Sequence, residues 1–358
     1  MKDKAQHGGD IYAAADGLGC TWKDILDYSA NINPLGPPPG LKQHLFNGFE
    51  MVQNYPDPYA IQWRKRLAET LQLPLNQIIA GNGTTPLMYL TARVVNPRLA
   101  VIAAPAFAEY EQSLAHAGSK VKYIRCSPRD DFDVTDTVIR RVFDQKPDIV
   151  YLTNPTSPAG RLIDPEVMQS VLDLGRKHKT VVAVDEAFLD FTNAPSIAQM
   201  VTGHPGLVVF RSLTKIFALP GLRLGYLVAS KGLAEKLLKS SEPWSVNALA
   251  LAAGMYCHDQ TKYMEKTRAV VSRERNYLEK GIAETGLGRV TPSSGNYLLV
   301  RLDPEGPGEV ELFAKLQKKG ILIRQCASFQ GLRGYIRLAV KSRKQNERLL
   351  DAIREVLK

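Results

Sequence analysis

Cysteine is scarce in this chain. Four residues in 358, Cys20, Cys126, Cys257 and Cys326, lie far apart, and no two have Cys-x-x-Cys spacing. A disulfide scaffold is excluded, and no metal site built on paired cysteines is expected. Dispersed thiols fit a reducing compartment. Long apolar runs are also missing. No stretch of about 18 apolar residues occurs, so no membrane span is expected. The opening MKDKAQHGGD leads into no apolar segment, which predicts no signal peptide and a cytoplasmic protein. Acidic residues are in deficit, 36 against 46 Lys and Arg, for a formal charge of +10. That excess raises three classes of partner: nucleic acid, an anionic membrane surface, or small anions. Neither a recognition helix nor a basic tail nor a zinc module is evident, so neither a nucleic-acid nor a membrane partner is expected. With 44% apolar and 23% charged residues, disorder is excluded.

The middle of the chain alternates short apolar runs with helical patterns. The runs lie at 99–103, 121–125, 148–152, 180–184, 207–211 and 224–229. They are rich in β-branched residues and bounded by turn signals, as buried strands are. Helix-like segments at 84–95, 107–117, 134–143, 164–178 and 194–202 separate them. This alternation predicts an α/β layer on a mostly parallel sheet, with ligands beyond the carboxyl ends of the strands. After residue 232 come helical stretches at 232–240 and 246–285, then strands at 297–302 and 335–340 around a helix at 308–319, and a last helix at 342–357. A smaller α+β domain at 233–358 is expected, joined by part of the arm at 1–45, with a large domain at 46–232.

The predicted strand ends carry reactive residues. In Arg211-Ser-Leu-Thr-Lys215 a lysine follows a buried strand, with Ser212, Thr214 and, eight residues on, Arg223 at hand. A desolvated lysine loses its proton and attacks carbonyl groups. The neighbouring hydroxyls and Arg223 suit a phosphate monoester. Asp185, in Val184-Asp-Glu-Ala-Phe188, ends the preceding strand and can pair with a protonated pyridine nitrogen. A helix cap is the plainer reading. Asn154, in the turn Asn154-Pro-Thr-Ser-Pro158, offers an amide to a phenolate oxygen. Gly83 and Thr84, in Gly81-Asn-Gly-Thr84, open a helix whose amides can cradle phosphate. Phe107 offers a face for stacking on a ring.

Taken together, these loops resemble the fold-type I pyridoxal-phosphate enzymes. The resemblance covers nearly the whole chain and implies pyridoxal 5'-phosphate as cofactor, with Lys215 and Asp185 catalytic. Tyr55 in Tyr-Pro-Asp-Pro58, Asp185-Glu-Ala-Phe188 and Ser212-Leu-Thr-Lys215 with Arg223 resemble the histidinol-phosphate aminotransferase branch. That branch implies a homodimer with shared active sites, Tyr55 reaching the cofactor phosphate of the other subunit. Phe188 departs from the branch, where tyrosine is usual, and leaves Asn154 as the main expected partner of the phenolate.

Five further segments resemble the threonine-phosphate decarboxylases of cobalamin synthesis: His7-Gly-Gly9, Ser29-Ala-Asn-Ile-Asn-Pro-Leu-Gly36, Pro243-Trp-Ser-Val-Asn247, Ile321-Leu-Ile-Arg-Gln-Cys326 and Tyr335-Ile-Arg337. This resemblance implies a small anionic phosphorylated amino acid as substrate. Arg337, helped by Asn154, would hold its carboxylate. Arg324 and His7 would grip its phosphate, with Gly8, Asn31 and Ser29 nearby. The reaction implied is decarboxylation of O-phospho-L-threonine to (R)-1-aminopropan-2-ol O-phosphate. Two alternatives stay open: a histidinol-phosphate aminotransferase, and a decarboxylase preferring O-phospho-L-serine. The two phosphoamino acids differ by one methyl, worth only about 1–3 kcal/mol in a pocket. No metal is expected.

Overall fold

A computed structural model describes residues 8–358. A two-residue strand, β1 (Leu26–Asp27), comes first. Then β2 (Ile78–Gly81), β3 (Leu99–Ala104), β4 (Lys120–Arg125), β5 (Ile149–Thr153), β6 (Val181–Asp185), β7 (Leu207–Ser212) and β8 (Gly225–Ala229) form a seven-stranded sheet. Its order is β2-β8-β7-β6-β5-β3-β4. Only β8 runs against its neighbours, so the expected mostly parallel sheet is present.

Alternation along these strands sorts their side chains to two faces. Val101, Val150, Val182, Val184, Val209 and Val228 enter one core, and Ile102, Tyr151, Ala183, Phe210 and Leu227 enter the other. Both faces are covered, which is why the strands read as continuous apolar runs. Helices Thr85–Val95, Ala108–His116, Asp136–Phe143 and Pro165–His178 follow the expected pattern closely.

The rest of the chain gives β9 (Gly288–Thr291), β10 (Tyr297–Leu302), β11 (Ile321–Leu322), β12 (Arg324–Gln325) and β13 (Tyr335–Ala339). A four-stranded antiparallel sheet runs β12-β13-β10-β9, and β11 pairs in parallel with β1. The arm thus contributes β1 to a parallel pair with β11. Helices Thr261–Thr285, Glu309–Lys318 and Arg343–Leu357 supply Leu278, Leu312, Leu316, Leu349 and Ile353 to this third core. Helices Lys231–Lys239 and Ala248–His258 pack instead against elements of the large sheet and the helices Leu41–Asn47 and Ile61–Leu71.

Two helical expectations are corrected. Residues 194–202 form only a short 3-10 turn, Ala198–Thr202. Pro195 disfavours helical backbone at Ala194, and buried Glu186 ties the Ser196 hydroxyl and the Ile197 N–H back to the end of β6. The stretch 246–285 is two helices, Ala248–His258 and Thr261–Thr285, parted at Asp259–Gln260. Strand β2 was missed because Ile78-Ile-Ala80 is short and follows polar residues.

Leu227 is fully buried on β8, between β7 and β2. Leu227→Ala should destabilise the fold by about 2–5 kcal/mol through lost transfer energy and an unfilled cavity. A lower urea midpoint checks this; an unchanged midpoint contradicts it.

Candidate active site

Strands β3, β5, β6 and β7 end on the same side of the large sheet, and a cavity of about 640 Å³ lies there. Asp185 ends β6, Ser212 ends β7, and Lys215 sits in the four-residue helix Leu213–Ile216 directly after β7. The lysine turn is clamped from the N-terminal arm. The Asn33 N–H donates to the Lys215 carbonyl at 3.2 Å, and Asn33 Nδ2 donates to the Ile216 carbonyl at 2.6 Å.

Asp185 is only 5% exposed. Its Oδ2 accepts from the Tyr110 hydroxyl at 2.7 Å and its Oδ1 from the Ala187 N–H at 2.9 Å. Burial pushes this carboxyl up, opposed by those two hydrogen bonds and by the Lys215 charge. Burial pushes Lys215 down to about 8, helped by the Arg223 and Arg337 charges and opposed by Asp185. A lysine so placed carries a sizeable neutral fraction near neutral pH, as a nucleophile requires.

Around this pair the cavity wall brings together Gly8, Asn31, Thr84, Phe107, Ser212, Arg223 and Arg337. The Ser212 and Thr214 hydroxyls lie 2.7 Å apart. Gly83 does not line the wall. It holds φ at 78°, and a Cβ there would collide with the Arg223 guanidinium, so glycine lets that arginine close over the turn. Asn31 is 3% exposed, and among the described residues neither its Oδ1 nor its Nδ2 has a partner. Buried amides are normally satisfied, so Asn31 points to a ligand in this space.

Arg337 donates to the Ser29 carbonyl at 2.9 Å and stands 5.6 Å over the Tyr297 ring, while its Nε lacks a partner among the described residues. Arg324 is not on the wall. It is buried, donates to Ser328 at 2.7 Å, and lies directly across the β12–β13 pairing from Arg337. Burial and the Arg337 charge push it down to about 10. Asn154 also lies off the wall. Its Oδ1 accepts from the Ile163 N–H at 3.0 Å, and its backbone N–H donates to the Asp185 carbonyl at 2.9 Å. Tyr55 is remote from its own chain's cavity, 85% exposed and 5.2 Å from the Trp244 ring. His7 lies outside the described residues. Phe188 is on the wall, edge-on to Tyr297 at 5.0 Å.

Sequence reasoning missed Tyr110 and Thr153, both on the wall, with their hydroxyl oxygens 3.0 Å apart. Tyr110 falls three residues after Phe107, a helical spacing that puts both on one face. Among the described residues, no group of three His, Cys, Asp or Glu could hold a metal ion, and no helix is long and apolar enough to cross a membrane.

In apo-protein, acylation of Lys215 by an amine-selective reagent should rise to half its maximal rate near pH 8. Arg223→Gln removes a charge that disfavours the ammonium, so the midpoint should rise. Asp185→Asn removes one that favours it, so the midpoint should fall. Peptide mass spectrometry across pH reads both; the opposite order would contradict the assignment.

Known proteins bear on this geometry. The threonine-phosphate decarboxylase of Salmonella typhimurium is 36% identical over 98% of this chain and 96% of its own length. The histidinol-phosphate aminotransferase from Clostridium acetobutylicum superposes with a TM-score of 0.84 at 30% identity, covering 93% of this chain and 99% of that one. The L-threonine-O-3-phosphate decarboxylase from Porphyromonas gingivalis gives 0.83 at 27%, covering 92% and 99%. A family model for aminotransferase class I and II matches residues 23–353. With a seven-stranded sheet, a lysine after β7 and a carboxylate ending β6, the chain belongs to the class I and II aminotransferase family.

Proposed function

We propose that this chain binds pyridoxal 5'-phosphate and decarboxylates O-phospho-L-threonine to (R)-1-aminopropan-2-ol O-phosphate and carbon dioxide, in cobalamin nucleotide-loop synthesis. The observation that carries this is one cavity holding a lysine pushed down to about 8, a buried carboxylate and a half-buried arginine whose Nε has no partner among the described residues. Similarity over the full chain to threonine-phosphate decarboxylases supports the choice of reaction.

The residues present fit the cofactor. A buried carboxylate is costly without a cation, and a protonated pyridine nitrogen beside Asp185 would supply one. Thr84, Ser212 and Arg223 offer hydroxyls and a guanidinium to its phosphate, with Gly83 leaving the room, and Phe107 offers a ring face. Asn154, beside wall residue Thr153, offers its amide to the phenolate oxygen. When bound, the cofactor supplies an electron sink for the pair left as the Cα–carboxylate bond breaks.

The remaining work falls to side chains. Arg337 binds the substrate carboxylate and sets which Cα bond is activated. Arg324, His7, Gly8 and Asn31 take the phosphate end. Buried Arg324 and half-buried Arg337, paired across two strands, repel, and a dianionic phosphate would relieve that repulsion. Lys215 Nζ returns a proton to Cα after carbon dioxide leaves.

We also infer a homodimer. Phe46, Phe49, Val52, Tyr55 and Trp244 are large apolar side chains left exposed, Phe46 at 76% and Tyr55 at 85%. A second copy covering them would put Tyr55 within reach of the other cavity. A histidinol-phosphate aminotransferase remains the second reading, favoured by the close match of fold to that class.

Incubation with O-phospho-L-threonine should release carbon dioxide and the amine in equal amounts. Keto acid, or glutamate from 2-oxoglutarate and histidinol phosphate, would overturn the decarboxylase. Arg337→Gln should lower kcat/KM about 10- to 150-fold, the equivalent of a charged hydrogen bond worth roughly 1.5–3 kcal/mol. An unchanged kcat/KM would remove Arg337 from the carboxylate site.

A further inference from the structure

We propose that Asp27 is a positioning residue, which through Ser29 latches the Gly8–Asp10 segment across the substrate end of the cavity. The proposal rests on the reading that Gly8, Asn31 and Arg337 form that end.

Asp27 is fixed by the sheet. It ends β1, where it pairs with Leu322 of β11, and the flanking Tyr28 donates to the Leu322 carbonyl at 2.7 Å and accepts from the Ala339 N–H at 2.9 Å. A single oxygen, Asp27 Oδ1, then accepts three donors: the Ser29 N–H at 2.8 Å, the Ser29 hydroxyl at 2.6 Å and the Ala30 N–H at 3.3 Å. With its proton committed to Asp27, the Ser29 hydroxyl has its lone pairs free to accept, and it accepts from the Gly9 N–H at 2.7 Å. The result is a chain from Gly9 through Ser29 to a carboxylate, and hydrogen bonds to charged groups are the stronger kind. The same turn aims the Ser29 carbonyl at Arg337, which donates to it at 2.9 Å. One carboxylate thus sets both the segment over the cavity and a partner of the substrate-binding arginine.

Two features show how tight this docking is. A Cβ at Gly8 would collide with the Ser29 carbonyl, and Gly9 holds φ at 92°, so glycine is required at both positions. Beyond them, Asp10 caps the helix Ile11–Leu18 through a 3.1 Å bond from the Ala13 N–H. The segment is therefore pinned at one end by Ser29 and at the other by a helix start.

Three variants of the full chain test the latch: Asp27→Ala, Asp27→Asn and Ser29→Ala. Amide hydrogen exchange of the peptide spanning Gly8–Tyr12 is read first, with no substrate present. Asp27→Ala and Ser29→Ala should each speed it about tenfold, as for loss of one net hydrogen bond. Both should raise KM for O-phospho-L-threonine about tenfold and leave kcat within about twofold, with the absorbance of bound cofactor unchanged. Asp27→Asn keeps an Oδ1 acceptor for all three donors and should restore both readouts to within about threefold. Exchange unchanged in Asp27→Ala and Ser29→Ala overturns the latch. So does an asparagine variant as impaired as the alanine one, which would make the role one of charge alone. Faster exchange with KM untouched upholds the latch and overturns the placing of substrate at this end.

Discussion

Lys215 and Asp185 stand at the ends of neighbouring strands β7 and β6, the lysine half-buried and the carboxylate buried, on one cavity. Their burial makes each charge expensive, and the surrounding structure answers that cost. Tyr110 and the Ala187 N–H hold the carboxylate, while Arg223 and Arg337 weigh against the ammonium. Parallel pairing of β5, β6 and β7 brings Thr153, Asp185 and the Lys215 turn to one edge. The antiparallel β8 lets the chain reverse there and return Arg223 to the same space. Asn33 reaches in from the arm and bonds the backbone of the lysine turn. The smaller sheet, the arm and the large sheet therefore meet at the same pair of charges.

The cationic balance of the cavity gives the formal charge of +10 a more specific meaning. Lys215, Arg223 and Arg337 line the wall, with Arg324 directly across a strand pair from Arg337. Set against Asp185 and Glu109 on the same wall, these cations leave a lining that favours anions. A cofactor phosphate, a substrate phosphate and a carboxylate would complete it. Four residues do not account for the whole excess; the remainder belongs to solvated surface, where it raises the local concentration of small polyanions in a salt-dependent way.

The strand ends were legible in the sequence because buried parallel strands read as uninterrupted β-branched runs, and the residue after each run is where ligands sit. That is why Asp185, Lys215 and Phe107 stand out in the sequence alone. Less legible were features set by tertiary contact. Tyr110 meets Asp185 from 75 positions away, and Glu186 ties down Ile197, 11 positions on, through a bond that no local pattern announces. Arg324 sits off the cavity wall, since β12 is two residues long and its register against β13 is not written in local periodicity. The short strands β1 and β11 exist only because they find each other across the chain. The break at Asp259–Gln260 carries neither glycine nor proline; the contact there is long-range, the Asp259 carboxylate accepting from Arg66 at 3.1 Å.

The central claim is that a desolvated lysine after β7 is the attachment point for a carbonyl cofactor held against Asp185. Borohydride reduction of the protein loaded with pyridoxal 5'-phosphate, followed by peptide mapping, tests it most directly. A pyridoxyl label should appear on the peptide containing Lys215 and be absent from Lys215→Ala. A label elsewhere, or equal labelling of the variant, would contradict it.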